Sequence, residues 1–375
     1  MALLNSARRW IGEAAHVLML AEGLRGRGVE VTLFARRGHE LERRAREAGL
    51  DVEALEFASR FSWLTERRDI RRLREIIRER RIQVLHAHRG KDHWIAALAR
   101  RGVKPRPALL RTRHVVTPMR NHVFNRWLMR RATDSILAVS DAARQSMAAV
   151  LKPEQLGRVC VIPSAVDLTA FHPNRRSETV RCDLLGLGEL EVAVGLVARM
   201  QRVKGQRVLL EAAAKLVGSG HRARFVLAGA ERSPGRIDAL ERLAEDLGVG
   251  ERVVFLREIE DIAALIASLD IGVVASLGSE GSSRVAHECM ASGVPLVATR
   301  VGVLPELIRD GENGLLCEPG DADALADRIG RLIDDSDLRA RLAKEGRAHV
   351  EAHHSPEGWL DAIQAVYAEA VSRVG

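Results

Sequence analysis

The stretch Gly278-Ser279-Glu280-Gly281-Ser282-Ser283-Arg284-Val285-Ala286-His287-Glu288 sets two carboxylates eight residues apart around a run of small residues. Its pattern predicts a strand end, a glycine-serine loop holding Glu280, and a helix with Glu288 about two turns inside it. Gly281, Ser282 and Ser283 then leave backbone amides open at the helix start. Unpaired N–H groups and the positive end of the helix dipole together favour an anion there. An anion cradle flanked by two carboxylates suits a ligand that is part phosphate and part polyol. A nucleotide-sugar is such a ligand.

Two cations belong to the same chemistry. The first strand of the second half ends Val197-Ala198-Arg199-Met200-Gln201-Arg202-Val203-Lys204-Gly205. Ligands of open parallel sheets gather at the carboxyl ends of strands, which puts Arg199 and Lys204 at the ligand. A planar guanidinium fork and a mobile ammonium can bracket a diphosphate between them. Either pair alone is weak, since two loop cations are as often solvated surface and acids are plentiful in this half. Their combination in one order is what carries weight. In the first half, His86-Ala87-His88-Arg89-Gly90-Lys91-Asp92-His93 follows another strand. Three histidines tempt a metal reading, but His86 continues the strand, and His88, Arg89 and Lys91 better suit the lining of an acceptor pocket. His287, inside the signature helix, reads as packed.

These residues need a scaffold. Strands alternate with helices from end to end, which means parallel sheets covered on both faces. In the first half the expected strands are Leu3–Asn5 (its beginning missing), Val29–Phe34, Leu50–Leu55, Ile82–His86, Ala108–Arg113, Ser135–Val139 and Val159–Ile162. In the second they are Val192–Val197, Ala223–Ala228, Val253–Leu256, Ile271–Ala275, Pro295–Ala298 and Gly314–Cys317. Expected helices include Ala14–Arg27, Glu66–Arg81, His93–Arg101, Asn121–Ala132, Asp141–Val150, Ser283–Ala291 and a last one over Pro356–Val374. The stretch Pro163 to Pro173 reads as a hinge. The expected architecture is two Rossmann-like α/β domains: 1–167 joined by 356–375, and 176–355.

Composition narrows the class. The 375 residues are 46% hydrophobic and 29% charged, which is globular. No apolar run reaches the roughly 18 residues of a membrane span; Ile262 to Leu277 is broken by Asp270. The start lacks a signal-peptide pattern, and the four scattered cysteines have no CxxC spacing, so cytosolic thiols are expected. The net charge of +8 hides an asymmetry: residues 1–176 hold 35 Lys+Arg against 18 Asp+Glu, and the remainder hold 23 against 32. The first half is therefore expected to meet an anionic surface or substrate. Arg120, Arg126, Trp127, Leu128, Met129, Arg130 and Arg131 form a basic and apolar helix that could dock on a membrane.

Taken in order, these features resemble the retaining glycosyltransferases of family 4, with the GT-B fold. The resemblance rests on Arg199 and Lys204, on Glu280 and Glu288 before Met290-Ala291-Ser292-Gly293-Val294-Pro295, and on Leu304-Pro305-Glu306-Leu307-Ile308 with the turn Asp310 to Leu316. Pro163-Ser164-Ala165-Val166-Asp167 resembles the family's interdomain segment. The resemblance implies that Arg199 and Lys204 hold the donor diphosphate and meet its developing charge. It implies that Glu288 binds the ribose and Glu280 the donor sugar, with Gly281, Ser282 and Ser283 beside them. His114 matches the family's histidine near donor sugar and acceptor. The family's Gly-Gly-x-Glu loop keeps only Gly12, within Ile11-Gly12-Glu13-Ala14, and Arg284 adds a cation beside the donor.

The implied activity is retaining transfer of a sugar from a nucleoside diphosphate to an acceptor hydroxyl, without cofactor or metal. The acceptor expected from charge is a glycan or glycolipid of a bacterial envelope, such as a lipopolysaccharide core or a lipid-linked sugar. The expected location is cytoplasmic, peripheral on the inner membrane face. A GT-B nucleotide-sugar epimerase and a non-enzymatic polyanion binder are the alternatives. Nucleic acid is not an expected partner, because no basic-aromatic recognition motif is present.

Overall fold

The computed structural model describes residues 1–375 except Phe61, Glu189, Arg232, Ser233, Ser279 and Gly375. The chain divides into two compact units, Met1–Ser164 with Pro356–Gly375, and Ala165–Ser355. Among the described residues, unit 1 is built on a seven-stranded sheet and unit 2 on a six-stranded one. Every strand pairing in both is parallel.

In unit 1 the strands are β1 (Ala2–Asn5), β2 (Thr32–Arg36), β3 (Asp51–Leu55), β4 (Val84–Ala87), β5 (Ala108–Arg113), β6 (Ser135–Ala138) and β7 (Cys160–Val161). They lie in the order β3-β2-β1-β4-β5-β6-β7. In unit 2 they are β8 (Val192–Val197), β9 (Ala223–Ala228), β10 (Val253–Leu256), β11 (Ile271–Val274), β12 (Leu296–Thr299) and β13 (Leu315–Cys317), in the order β10-β9-β8-β11-β12-β13. Each order reverses once, between β1 and β4 and between β8 and β11. Loops leaving the two strands at a reversal run to opposite faces and open a crevice at the sheet's carboxyl edge.

The central strands of both sheets, such as β1, β8 and β11, are buried on both faces and read as largely apolar runs, while the edge strands β3, β7 and β10 are only partly buried. Leu3, Leu4, Leu33, Phe34, Leu85 and Leu109 fill unit 1, and Val194, Leu196, Phe225, Leu227 and Ile271 fill unit 2. Burying each such side chain is worth about 1.5–3 kcal/mol. The helix Pro356–Val374 packs against β5 and the helix Gly12–Gly26, with Trp359, Leu360, Ile363 and Tyr367 buried. No described helix is long and apolar enough to cross a membrane.

Several boundaries differ from the sequence expectation for local reasons. β2 starts at Thr32, not Val29, because Val29 is used to cap the preceding helix. Its amide donates to the Leu24 carbonyl at 3.0 Å across Gly28 at φ +78°. The fourth helix begins at Gly90 rather than His93, since the Asp92 carboxylate caps back onto the Arg89 amide at 2.8 Å. The helix from Asp141 stops at Gln145, where the Ser146 hydroxyl donates to the Ala143 carbonyl at 2.7 Å.

Candidate active site

In unit 2 the donor-binding residues expected from sequence fall on the two loops of the β8/β11 reversal. Arg199 and Lys204 follow β8; Glu280, Gly281, Ser282, Ser283, Arg284 and Glu288 follow β11. Ser279, between them, lies outside the described residues.

Two glycines make the loops meet. Gly205 sits at φ +73°, and a Cβ there would stand 1.8 Å from the Ala275 carbonyl oxygen. That approach lets the Leu277 amide donate to the Val203 carbonyl at 2.8 Å. Gly302 sits at φ +58°, where a Cβ would stand 2.0 Å from the Glu280 carbonyl oxygen. The Val303 amide donates to that same oxygen at 2.9 Å. Glu280 is thereby held by its backbone from behind, and its carboxylate is aimed by side chains in front. The Lys204 ammonium pairs with it and the Ser276 hydroxyl donates to it. Glu280 is 4% exposed, so this pair is a largely desolvated one.

A second pair sits on the next helix, Arg284–Ala291, where the Arg284 guanidinium meets the Glu288 carboxylate at 2.9 Å. Burial raises the Glu288 pKa, and the charge and hydrogen bond of Arg284 oppose that rise. Ser283 opens this helix at φ +36°, and its buried hydroxyl has no hydrogen bond among the described residues. Gly281 and Ser282 are half-buried. Arg199 is exposed, and its carbonyl accepts from the buried Gln206 amide at 2.9 Å. His287 is buried against His354, with its Nδ1 at 3.1 Å from the Ser283 carbonyl and its pKa lowered to about 3 by burial. It is a neutral packed ring. The arrangement thus offers two cations, each poised on a carboxylate, at the mouth of a helix N-terminus.

In unit 1 the β1/β4 reversal collects a different set. Asp92 is fully buried and ties the two loops together, accepting from the Ser6 amide at 3.0 Å and the Arg89 amide at 2.8 Å. Burial pushes its pKa up to about 7 against the pull of Arg111. His114 follows β5, and its Nε2 lies 3.0 Å from His88 Nδ1, so one ring donates and the other accepts. Both are buried, and burial, their largest influence, holds both pKa values well below the ordinary range. The rings are neutral at pH 7.

The histidines that gather are not the three adjacent in sequence. His93 bonds Thr133 at 2.8 Å, and His86 sits between the Tyr367 and Thr112 hydroxyls at 2.7 Å each. Instead, nitrogens of His16, His88 and His114 lie within 4.8 Å of one another, and this is where the described residues could hold a metal.

Arg89 and Lys91, expected to line an acceptor pocket, are both engaged. Arg89 reaches Glu13 at 3.3 Å, and Lys91 pairs with buried Glu66. Gly12 is the first residue of the helix Gly12–Gly26, whose N-cap Ile11 brings no side-chain cap. Glu13 and Asp92 were not selected by spacing, and Arg89 at the N-cap lacks the Ser or Thr of a capping-box pattern. Ser276, four residues before Glu280, and His16 gave no signal in the sequence.

A sequence profile described as glycosyl transferases group 1 matches residues 191–335, and one described as glycosyltransferase family 4 matches residues 11–170. The D-inositol 3-phosphate glycosyltransferase of Corynebacterium urealyticum is 34% identical over 218 residues, which is 56% of this chain and 51% of that protein. The chain therefore spans about half the length of the curated relatives it matches. A glycosyltransferase structure from Rickettsia africae matches with a TM-score of 0.88 at 20% identity, covering 99% of this chain and 98% of that one. Anabaena HepE in complex with UDP matches with a TM-score of 0.83 at 21% identity, covering 98% and 99%. Profiles over both units and the two reversed-order parallel sheets agree: the chain belongs to glycosyltransferase family 4, the group 1 glycosyl transferases of GT-B fold.

Proposed function

We propose that this chain transfers a sugar from a nucleoside diphosphate to an acceptor hydroxyl with retention of configuration. The observation that carries the reading is the desolvated Lys204–Glu280 pair at the β8/β11 reversal, beside Arg199 and the Arg284–Glu288 pair. A diphosphate entering there takes the Lys204 ammonium, and with it Arg199, as counter-charge for the departing phosphate. Stabilising charge that develops in the transition state is usually the largest catalytic contribution. Glu280, released from Lys204 but still held by Ser276, accepts hydrogen bonds from the donor sugar hydroxyls. Glu288 accepts from the ribose. In this reading the cations of the chain serve the leaving group, and no cofactor or metal is called on. The UDP bound by Anabaena HepE and the D-inositol 3-phosphate in the name of the corynebacterial relative are supporting parallels.

Unit 1 is read as the acceptor unit, working at the cytoplasmic membrane face in the synthesis of an envelope glycan, either a lipopolysaccharide core or a lipid-linked sugar. The support is its charge and one apolar patch. Trp63 and Leu64, at the start of the helix Trp63–Glu79, and Val123 and Phe124, at the start of Val123–Arg131, are exposed. Trp94 links them, touching Phe124 edge-on at 6.0 Å and donating to Glu66 at 3.2 Å. Arg67 and Arg68 follow on the first of these helices and Arg126 on the second, with Arg120 just before it. Calorimetry against UDP-, GDP-, ADP- and CMP-sugars, with product analysis with and without acceptor, tests the reading. Binding of none of them contradicts it, and turnover of donor to an isomer without acceptor assigns an epimerase instead.

A further inference from the structure

Three histidines from separate segments meet at the carboxyl edge of the unit 1 sheet. His16 lies in the second turn of the helix Gly12–Gly26, His88 follows β4 and His114 follows β5. All three are buried, and one nitrogen from each lies within 4.8 Å of the other two. Ring centroids stand 4.7 Å apart for His16 and His114, 5.3 Å for His88 and His114, and 5.9 Å for His16 and His88. Three imidazoles on one tetrahedral zinc, with Zn–N of about 2.0–2.1 Å, hold their ring centres about 5 Å apart. The observed spacings bracket that value.

Packing alone serves this cluster poorly. The neighbouring buried histidines end on hydroxyls, His86 between Tyr367 and Thr112 and His93 on Thr133. His88 instead turns Nδ1 to His114 Nε2 at 3.0 Å, one imidazole facing another. Its Nε2 is buried with no hydrogen bond among the described residues. His16 sets Nδ1 3.4 Å from the Ser164 hydroxyl and packs edge-on against Trp359 at 4.8 Å. With Nδ1 on Ser164, Nε2 is that ring's remaining ligand atom, and ligating histidines ordinarily have the other nitrogen held in this way. Burial keeps the His88 and His114 rings neutral, the form a metal takes. Buried Arg111 opposes a cation here, and Asp92 and Glu13 act on Arg111 as opposite charges.

We propose that His16, His88 and His114 form a site for a divalent metal of imidazole preference, zinc first, whose occupancy withholds His114 from sugar transfer. Imidazole nitrogen suits zinc and its transition-metal neighbours, not magnesium or calcium. Binding breaks the hydrogen bond between His88 and His114. Its proton moves to the far nitrogen of the ring that held it, both rings stay neutral, and both lone pairs go to the metal. Three protein ligands leave the fourth tetrahedral position to water. The metal is here an inhibitor, not a cofactor. Only the consequence for transfer rests on reading His114 as a residue beside the donor sugar.

The test is calorimetry of Zn2+ into the full chain freed of metal by a chelator, with Mg2+ as the second probe. The expected result is one tightly held zinc per chain and no magnesium. His349 and His353, one turn apart on the helix Ser336–His353, are the competing site. His16→Gln should weaken zinc at least about tenfold, while His349→Gln/His353→Gln leaves it unchanged. The reverse pattern overturns the site, as does a wild type that binds no zinc. Because His16→Gln changes a buried residue, the wild type carries an independent readout. X-ray absorption at its zinc edge should count three imidazoles and no sulfur; fewer imidazoles, or a sulfur ligand, overturns the site. Saturating zinc should abolish sugar transfer by the wild type and a chelator should restore it. Zinc held by the three histidines with transfer unchanged keeps the site and removes His114 from the reaction.

Discussion

Removing the Lys204 ammonium should cost the fold and the chemistry separately, and the two losses can be told apart. In Lys204→Ala the Glu280 carboxylate stays buried, and among the described residues the Ser276 hydroxyl is the one side chain still donating to it. Stripping one partner from a buried pair typically costs about 3–5 kcal/mol. The Lys204 side chain is 20% exposed and that of Glu280 is 5% exposed, so solvent screens part of this. We expect about 2–3 kcal/mol after that discount. Glu280→Gln keeps an acceptor for Ser276 and removes the stranded charge, so Lys204→Ala/Glu280→Gln should recover about 1–2 kcal/mol of the loss. All five tryptophans (Trp10, Trp63, Trp94, Trp127 and Trp359) lie in unit 1, so intrinsic fluorescence reports that unit alone. Urea unfolding followed by far-UV circular dichroism reads unit 2 as well and is the assay to use. Sugar transfer should stay lost in the double variant even as stability returns. Strictly additive stability losses would refute the claim that the pair is desolvated and coupled.

Other consequences are as direct. Gly205→Ala puts a Cβ into the Ala275 carbonyl at a positive φ; thermal melts should show a loss of more than about 1 kcal/mol, with transfer falling too. His86 is buried with its pKa lowered to about 3. The unfolded chain takes up that proton near pH 6.5 and the folded one does not, so stability is full above pH 6.5 and falls as pH drops. Between pH 7.5 and 5 this single ring should cost about 2 kcal/mol, and His86→Asn should lose that much less over the same interval in urea titrations. Trp63→Ser/Phe124→Ser should reduce co-sedimentation with vesicles containing phosphatidylglycerol at low salt; binding as strong to neutral vesicles would reject an electrostatic contribution.

How much of this was legible in sequence depended on the kind of signal. The strand runs of unit 2 could be read almost to the residue, because a strand covered on both faces is an uninterrupted apolar run closed by glycine or a charge. The Glu280 to Pro295 segment was legible because strand, loop and helix each leave a local mark. What stayed hidden is contact between distant segments. Nothing in the spacing says that Lys204 closes on Glu280, which takes Gly205 and Gly302 letting backbones touch. Nor does it pair Lys91 with Glu66, or draw His16 rather than His93 to His88 and His114.

The claim on which the account turns is that the unit 2 loops exchange the Lys204–Glu280 pair for a diphosphate. Calorimetric titration of the nucleoside diphosphate that binds wild type into Lys204→Ala and Glu280→Gln tests it most directly. The account predicts at least tenfold weaker binding to Lys204→Ala, and undiminished binding to Glu280→Gln together with lost transfer. Equal affinity of wild type and Lys204→Ala for that nucleotide would contradict it.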